Sequence, residues 1–227
     1  MANDQEKEAA ARASLRYVKD GQVVGLGTGS TAAYFIKLLG EQVKGGLTIR
    51  GIPTSVRSRD LALSLGIPLT TLDECQEIDV TVDGADEVDP QLRLIKGGGG
   101  AALREKIVAS VTRTMVVVAD ASKQVQRLGK FPLPVEVIQF AQAVVAKRIS
   151  ALGAQVQVRT NPDGTPYVSD ENNHILDCQF GEIQDADRLA CALSQMPGVV
   201  EHGLFIGMAS VAIFARGSEI EEWKRGK

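Results

Sequence analysis

Apolar and polar positions follow two rhythms along this chain. Short, mostly β-branched runs occur at Val23-Val24-Gly25-Leu26-Gly27, Leu47 to Ile52, Ile78-Asp79-Val80-Thr81-Val82, Leu92 to Ile95 and Met115-Val116-Val117-Val118-Ala119. Between them lie longer stretches with the three- and four-residue spacing of amphipathic helices, over 4–19, 31–39, the segment ending at Leu65, and about 101–111. Strands alternating with helices predict a parallel sheet with crossover connections. Ser30 or Thr31 is available to cap the second helix.

The rhythm changes near Gly129-Lys130-Phe131-Pro132-Leu133-Pro134, where two prolines frame a connection. Beyond it the pattern predicts a helix over 138–151, strands near 154–159, 166–169 and 174–179, and a helix over 185–195. Asn161-Pro162-Asp163-Gly164 reads as a hairpin turn. Val211 to Phe214 returns to the main sheet. The expected fold is α/β: a doubly wound, mostly parallel, Rossmann-like sheet from residues 1–130 plus 205–227, with a smaller α+β, ferredoxin-like domain over 131–204.

Composition narrows the function classes. The 227 residues are 44% hydrophobic and 23% charged, ordinary globular values. The net charge of −3 and scattered basic residues argue against nucleic acid as a partner. No apolar run approaches a membrane span, and the acidic N-terminus lacks a leader pattern, so a cytoplasmic protein is expected. Cys75, Cys178 and Cys191 form no CxxC pair or zinc spacing. His174 and His202 stand 28 positions apart, which leaves no His-rich metal site and no basis for a Ser-His-Asp triad.

The polar chemistry collects where strands end. Asp83-Gly84-Ala85-Asp86-Glu87, Lys96-Gly97-Gly98-Gly99-Gly100 and Arg104-Glu105-Lys106 lie within 24 positions. In open α/β sheets ligands bind outside the carboxyl ends of the strands. Carboxylates beside a lysine are one way to separate acid from base roles. Four consecutive glycines cost backbone entropy, which packing alone is not expected to justify, and they expose N–H groups to a ligand. Gly25-Leu26-Gly27-Thr28-Gly29-Ser30-Thr31 lacks the third glycine of a dinucleotide fingerprint and the Gly-Lys-Ser/Thr of a Walker loop. It reads equally as a phosphate cradle of helix amides and three hydroxyls, or as a plain capped turn. Leu103, Ile107, Val108 and Val111 define an apolar seam that leaves Glu105 off to one side, as a solvated first-turn acid. Lys123, in Asp120-Ala121-Ser122-Lys123, reads as a loop lysine that follows a strand.

Taken in order, these stretches resemble ribose-5-phosphate isomerase, type A. Leu128-Gly129-Lys130-Phe131-Pro132-Leu133-Pro134-Val135-Glu136-Val137, Pro197-Gly198-Val199-Val200 and His202-Gly203-Leu204-Phe205-Ile206 extend the similarity through nearly the whole chain. The resemblance implies a metal-free, cofactor-free aldose–ketose isomerase acting on a sugar phosphate in the pentose phosphate pathway, as a homodimer or dimer of dimers. It implies Glu105 as proton acceptor, with Asp83, Asp86 and Lys96 beside it. Thr28, Gly29, Ser30, Thr31, Asp83, Gly84, Ala85, Asp86, Lys96, Gly97, Gly98, Gly99 and Lys123 would line the substrate site, with Lys7 as the family's N-terminal lysine. Met208 to Ala215 and the tail from Glu222 depart from the family pattern. A sugar-phosphate sensor, an amino-sugar-phosphate deaminase and a CoA transferase are the rival classes. The chain has no room for the sensor's helix-turn-helix, no placed histidine for the deaminase, and too few residues for the transferase.

Overall fold

A computed structural model of the chain describes residues 2–217 and 219–226. Helix α1 (Ala2–Ser14) precedes strand β1 (Val23–Leu26), α2 (Ser30–Lys44), β2 (Arg50–Pro53), α3 (Val56–Ser64) and β3 (Ile78–Asp83). The hairpin β4 (Glu87–Val88) and β5 (Leu94–Ile95) leads to α4 (Ala102–Ser110) and β6 (Thr112–Asp120). Next come β7 (Leu133–Val137), α5 (Gln142–Ala151), β8 (Gln155–Val158), β9 (His174–Gln179), α6 (Ala186–Ser194) and β10 (Val199–His202). After them come β11 (Leu204–Phe205), β12 (Val211–Arg216) and β13 (Glu219–Lys224).

The main sheet has the order β13-β12-β6-β3-β1-β2, parallel throughout except for β13. Its inner strands β1, β3, β6 and β12 are buried on both faces, which explains their continuous apolar runs. On β6, Val116 and Val118 face a core shared with α1, α2 and Ala62 of α3, while Met115, Val117 and Ala119 face the opposite core with Ala109 of α4. The chain leaves β1 toward β2 and then crosses back to β3. The order of travel therefore reverses between β1 and β3, and that crevice is where a doubly wound sheet receives its ligand.

A second sheet, β10-β7-β9-β8, is antiparallel and follows the β-α-β-β-α-β order of a ferredoxin-like unit. Val145 and Ile149 of α5 and Leu193 of α6 cover it. The segment 166–169 makes only isolated bridges, Thr160 with Pro166 and Val168 with His174, rather than the expected strand. The proline-framed connection runs straight into β7, where Pro134 pairs opposite Asp177. Leu92 to Ile95 does not join the parallel sheet as one of its strands. Leu92 takes φ 56 and its N–H donates to the Asp89 carbonyl (2.9 Å), reversing the chain into a hairpin. Lys96 thus approaches the site from a separate three-stranded sheet, β11-β5-β4. At the far edge β13 pairs along β12, with Trp223 edge-on to Phe214 at 4.8 Å.

Candidate active site at the sheet switch point

Strands β1 and β3 lie side by side, so the turn after β1 meets the first residues after β3. Asp83 Oδ1 accepts the backbone N–H groups of Thr28 (2.9 Å) and Gly84 (2.7 Å), which locks the two turns together. Its other oxygen lies 2.9 Å from Lys96 Nζ, and that ammonium also donates to the Gly84 carbonyl (2.5 Å). Glu105 Oε1 stands 3.5 Å from the same nitrogen. All three side chains are almost completely buried, at 1% (Asp83), 2% (Lys96) and 4% (Glu105) exposure. The face of Phe205 closes the far side of the ammonium, 5.5 Å away.

Two carboxyls therefore share one buried cation. Burial pushes both up from their usual range, against the pull of Lys96. Asp83 has the shorter ion-pair contact and two amide donors. Glu105 has neither, and among the described residues its Oε2, like Asp83 Oδ2, finds no hydrogen-bond partner. Burial first, then repulsion from Asp83 and Asp86, carries Glu105 to about 8. Burial alone would lower Lys96, but Asp83 and then Glu105 more than offset it, so the lysine keeps its proton. The result is a fixed cation beside a carboxyl that can hold or release a proton near neutrality.

Helix α4 is where the apolar pattern misled. Its buried positions are Ala102, Glu105, Lys106, Val108 and Ala109, whereas Ile107 is 43% exposed. The buried face is rotated from the apparent seam, because it is made of small and charged residues that hydrophobicity cannot register. Glu105 points into the crevice and not into solvent.

The cleft opens above this trio, enclosing about 170 Å³. Lys7, Thr28, Gly29, Ser30, Thr31, Gly84, Ala85, Asp86, Lys96, Gly97, Gly99, Glu105 and Lys123 all line it. Asp83, almost fully buried, and Gly98, exposed, are not among the lining residues. Asp120, at the end of β6, lines the cleft too, although only its position after a strand pointed to it. It caps the 3₁₀ turn Ala121–Lys123 by accepting from the Ser122 N–H (3.1 Å) and hydroxyl, and so orients Lys123.

Three details differ from expectation. Helix α2 is capped by Gly29 without any side-chain bond, not by Ser30 or Thr31, so its first-turn amides remain open toward the cleft. The Thr28 hydroxyl turns away from the cleft into a buried cluster with Thr54 (2.8 Å), Ser55 (2.8 Å) and Ser58 (3.2 Å). Finally, packing does account for part of the glycine run. A Cβ on Gly98 would lie 2.6 Å from Asp86 Oδ1, and one on Gly100, at φ +84, would lie 2.3 Å from the Tyr167 hydroxyl. Asp86 Oδ2 accepts the Gly98 N–H at 2.8 Å, so that close approach has a purpose.

Among the described residues no group of three or more His, Cys, Asp and Glu side chains is placed to hold a metal ion, and no helix is long and apolar enough to cross a membrane.

Residues 50–219 match the family model for ribose 5-phosphate isomerase A (phosphoriboisomerase A). The ribose-5-phosphate isomerase A of Parvibaculum lavamentivorans is 54% identical over 97% of this chain and 99% of its own length. That of Nitrobacter hamburgensis is 52% identical over 99% and 100%. A solved D-ribose-5-phosphate isomerase in complex with phospho-erythronic acid superposes with a TM-score of 0.96, at 40% identity over 99% of this chain and 100% of that one. The ribose 5-phosphate isomerase A of Methanocaldococcus jannaschii gives 0.92, at 42% identity over 96% and 97%.

Proposed function

The chain belongs to the ribose 5-phosphate isomerase A family, and within the aldose–ketose isomerase this makes it, we propose that Glu105 carries the proton between C2 and C1. The reaction interconverts D-ribose 5-phosphate and D-ribulose 5-phosphate, a step of the pentose phosphate pathway. The observation that carries the assignment is the unpartnered Glu105 Oε2 in a buried site beside a fixed ammonium.

The chemistry follows from the geometry. Ionised Glu105 takes the C2 proton of the open-chain aldose, and the electron pair passes through the C1–C2 bond onto the carbonyl oxygen. Lys96 stabilises the enediolate oxygen that develops, assisted by amides of the glycine turn. Protonated Glu105 then returns its proton to C1, giving the ketose, with a hydroxyl proton moving between O2 and O1. Ring opening is assigned to Asp83, whose Oδ2 takes no hydrogen bond and faces Lys96, and hydroxyl binding to Asp86. The open amides at the start of α2, with Ser30, Thr31, Lys7 and Lys123, make a cationic end for the phosphate. Phosphate binding there supplies remote binding energy that orients the reacting carbons.

Phospho-erythronic acid, bound by the solved relative, carries a phosphate at one end and a carboxylate at the other. On this chain it would span from the α2 terminus to Lys96. The mechanism needs no metal, so turnover of ribose 5-phosphate should survive EDTA and gain nothing from added zinc, manganese or magnesium. We also assign the protein to the cytoplasm and to a homo-oligomer, a dimer or dimer of dimers. Phe140, 98% exposed, and the neighbouring Ile138 and Val144 are apolar surface of the kind a second copy covers. Light scattering would read the assembly.

Ketose formation from ribose 5-phosphate in the Glu105→Gln variant tests the central assignment. Turnover should fall by on the order of 10²–10⁴ while phospho-erythronic acid still binds. Exchange of the substrate C2 hydrogen with deuterated solvent should fall in parallel. Near wild-type turnover would move the base to Asp83 or Asp86.

A further inference from the structure

The second sheet reaches the back of the site's glycine turn through an arginine. Arg159, immediately after β8, is 14% exposed and sends its guanidinium to the back of the glycine turn. Its Nη1 donates to the carbonyl oxygens of Gly97 (2.9 Å) and Gly98 (3.2 Å). Asp177, in the middle of β9, accepts from Nε (2.9 Å) and from Nη2, the two-pronged geometry that fixes a guanidinium plane. The Tyr167 ring lies 5.9 Å beneath it and packs against Gly100.

Each carbonyl that Arg159 holds belongs to a rigid trans peptide unit whose N–H points the opposite way. The Gly97 carbonyl shares its unit with the Gly98 N–H, which binds Asp86 Oδ2 at 2.8 Å. The Gly98 carbonyl shares its unit with the Gly99 N–H, which has no acceptor among the described residues, and Gly99 lines the cleft. The Gly97 carbonyl also accepts the Gly100 N–H (3.0 Å), but the Gly98–Gly99 plane has no tie besides Arg159 among the described residues, and glycines sample more backbone conformations than any other residue.

We propose that Arg159, oriented by Asp177, is a positioning residue for the isomerisation: by fixing two peptide planes from behind, it aims the Gly99 N–H and the Asp86 carboxylate at the sugar end of the substrate. It does not touch substrate. The inference rests on Asp86 and the glycine turn serving that end and not the phosphate.

Titration calorimetry with two probes separates this role from general support. In Arg159→Ala, binding of phospho-erythronic acid should weaken by about 10-fold or more and kcat/KM should fall by about 10- to 100-fold. Affinity for inorganic phosphate, which needs only the α2 end, should stay within about 2-fold, with thermal unfolding near that of the parent. Millimolar guanidinium should restore part of the lost kcat/KM to Arg159→Ala, and Asp177→Asn should give the same pattern more weakly. Unchanged kinetics and binding in Arg159→Ala would overturn the proposal. So would equal weakening of both probes with a lowered melting temperature and no rescue. Asp86→Asn tells the two assignments apart. If it leaves phospho-erythronic acid binding intact, the sugar-end assignment is wrong. If it weakens that binding while Arg159→Ala does not, only the role of Arg159 fails.

Discussion

Glu105 concentrates the chemistry of this site, and its proton can be followed from two sides. The carboxyl sits at about 8 in the folded chain against 4.5 for an ordinary glutamate. In aldose-to-ketose turnover it must start ionised, so kcat/KM should rise with pH through about 8 and then level. The same shift makes a stability statement of opposite sign. Below about 4.5 the carboxyl is protonated whether the chain is folded or not, and it costs nothing. Between about 4.5 and 8 the unfolded chain loses that proton while the folded chain keeps it, so stability declines as pH rises. Glu105→Gln cannot titrate and escapes the decline. Urea unfolding should show variant and parent alike near pH 4.5, with the variant ahead by up to several kcal/mol above pH 8. A difference that does not change with pH would contradict the raised pKa. Residue identity was largely legible here in motif and strand order, although Lys7 and the role of Glu105 came only through the family resemblance. What the apolar pattern could not convey was the direction of Glu105. A buried charge looks like a surface charge until its partners, Lys96 from one sheet and Asp83 from another, are brought around it.

At the scale of elements, the glycine turn shows how close approach substitutes for side chains. Gly98 sits against Asp86 and Gly100 against Tyr167, so the two positions respond differently to an added methyl. Gly98→Ala should displace Asp86 and lower kcat/KM by on the order of 10-fold or more with little loss of melting temperature. Gly100→Ala forces an alanine to φ +84 against a ring and should cost about 1–3 kcal/mol of stability. Steady-state kinetics beside thermal unfolding would separate them. Lys123→Ala, at the phosphate end, should raise KM by about 10-fold, with a smaller drop in kcat. If KM holds in both this variant and Ser30→Ala, the phosphate binds elsewhere. The βα alternation was readable because strands buried on both faces give unbroken apolar runs. The placement of β5 in a separate hairpin and the existence of β7 were not. The turn at Leu92 needs a positive φ that no glycine announced, and Pro134 sits inside a paired strand where proline usually marks its end.

For the whole molecule, the reversal of strand order between β1 and β3 puts the cleft where it is, and its polar groups arrive from strand ends, from the adjoining hairpin and, for Lys7 and Glu105, from helices α1 and α4. We propose that residues 131–204 form a domain distinct from 1–130 plus 205–227. They carry their own sheet, and the apolar cluster beneath it centres on Leu133, Val135, Val145, Ile149, Leu176 and Leu193. Native-state hydrogen exchange in rising denaturant should then show protection of β7 to β10 lost separately from that of β1, β3 and β6. A single common opening for both sets would argue for one domain.

The packing of α1 against β6 and β12 has a consequence for how the molecule comes into being. Early and late residues meet here: Tyr17 hydrogen-bonds to Glu222 (3.0 Å) and the Gly217 N–H to Glu6 (2.7 Å). Strand β12 is needed to flank β6, yet a ribosome supplies it only after the whole of residues 133–202. During synthesis the early strands wait with β6 unflanked, while the antiparallel unit of residues 133–202, local in sequence, can close first. Chains truncated before residue 211 and released from the ribosome should therefore protect the later-synthesised unit against protease while leaving α1 and β1 open to cleavage, an inversion of the usual order in which a polypeptide folds from its beginning.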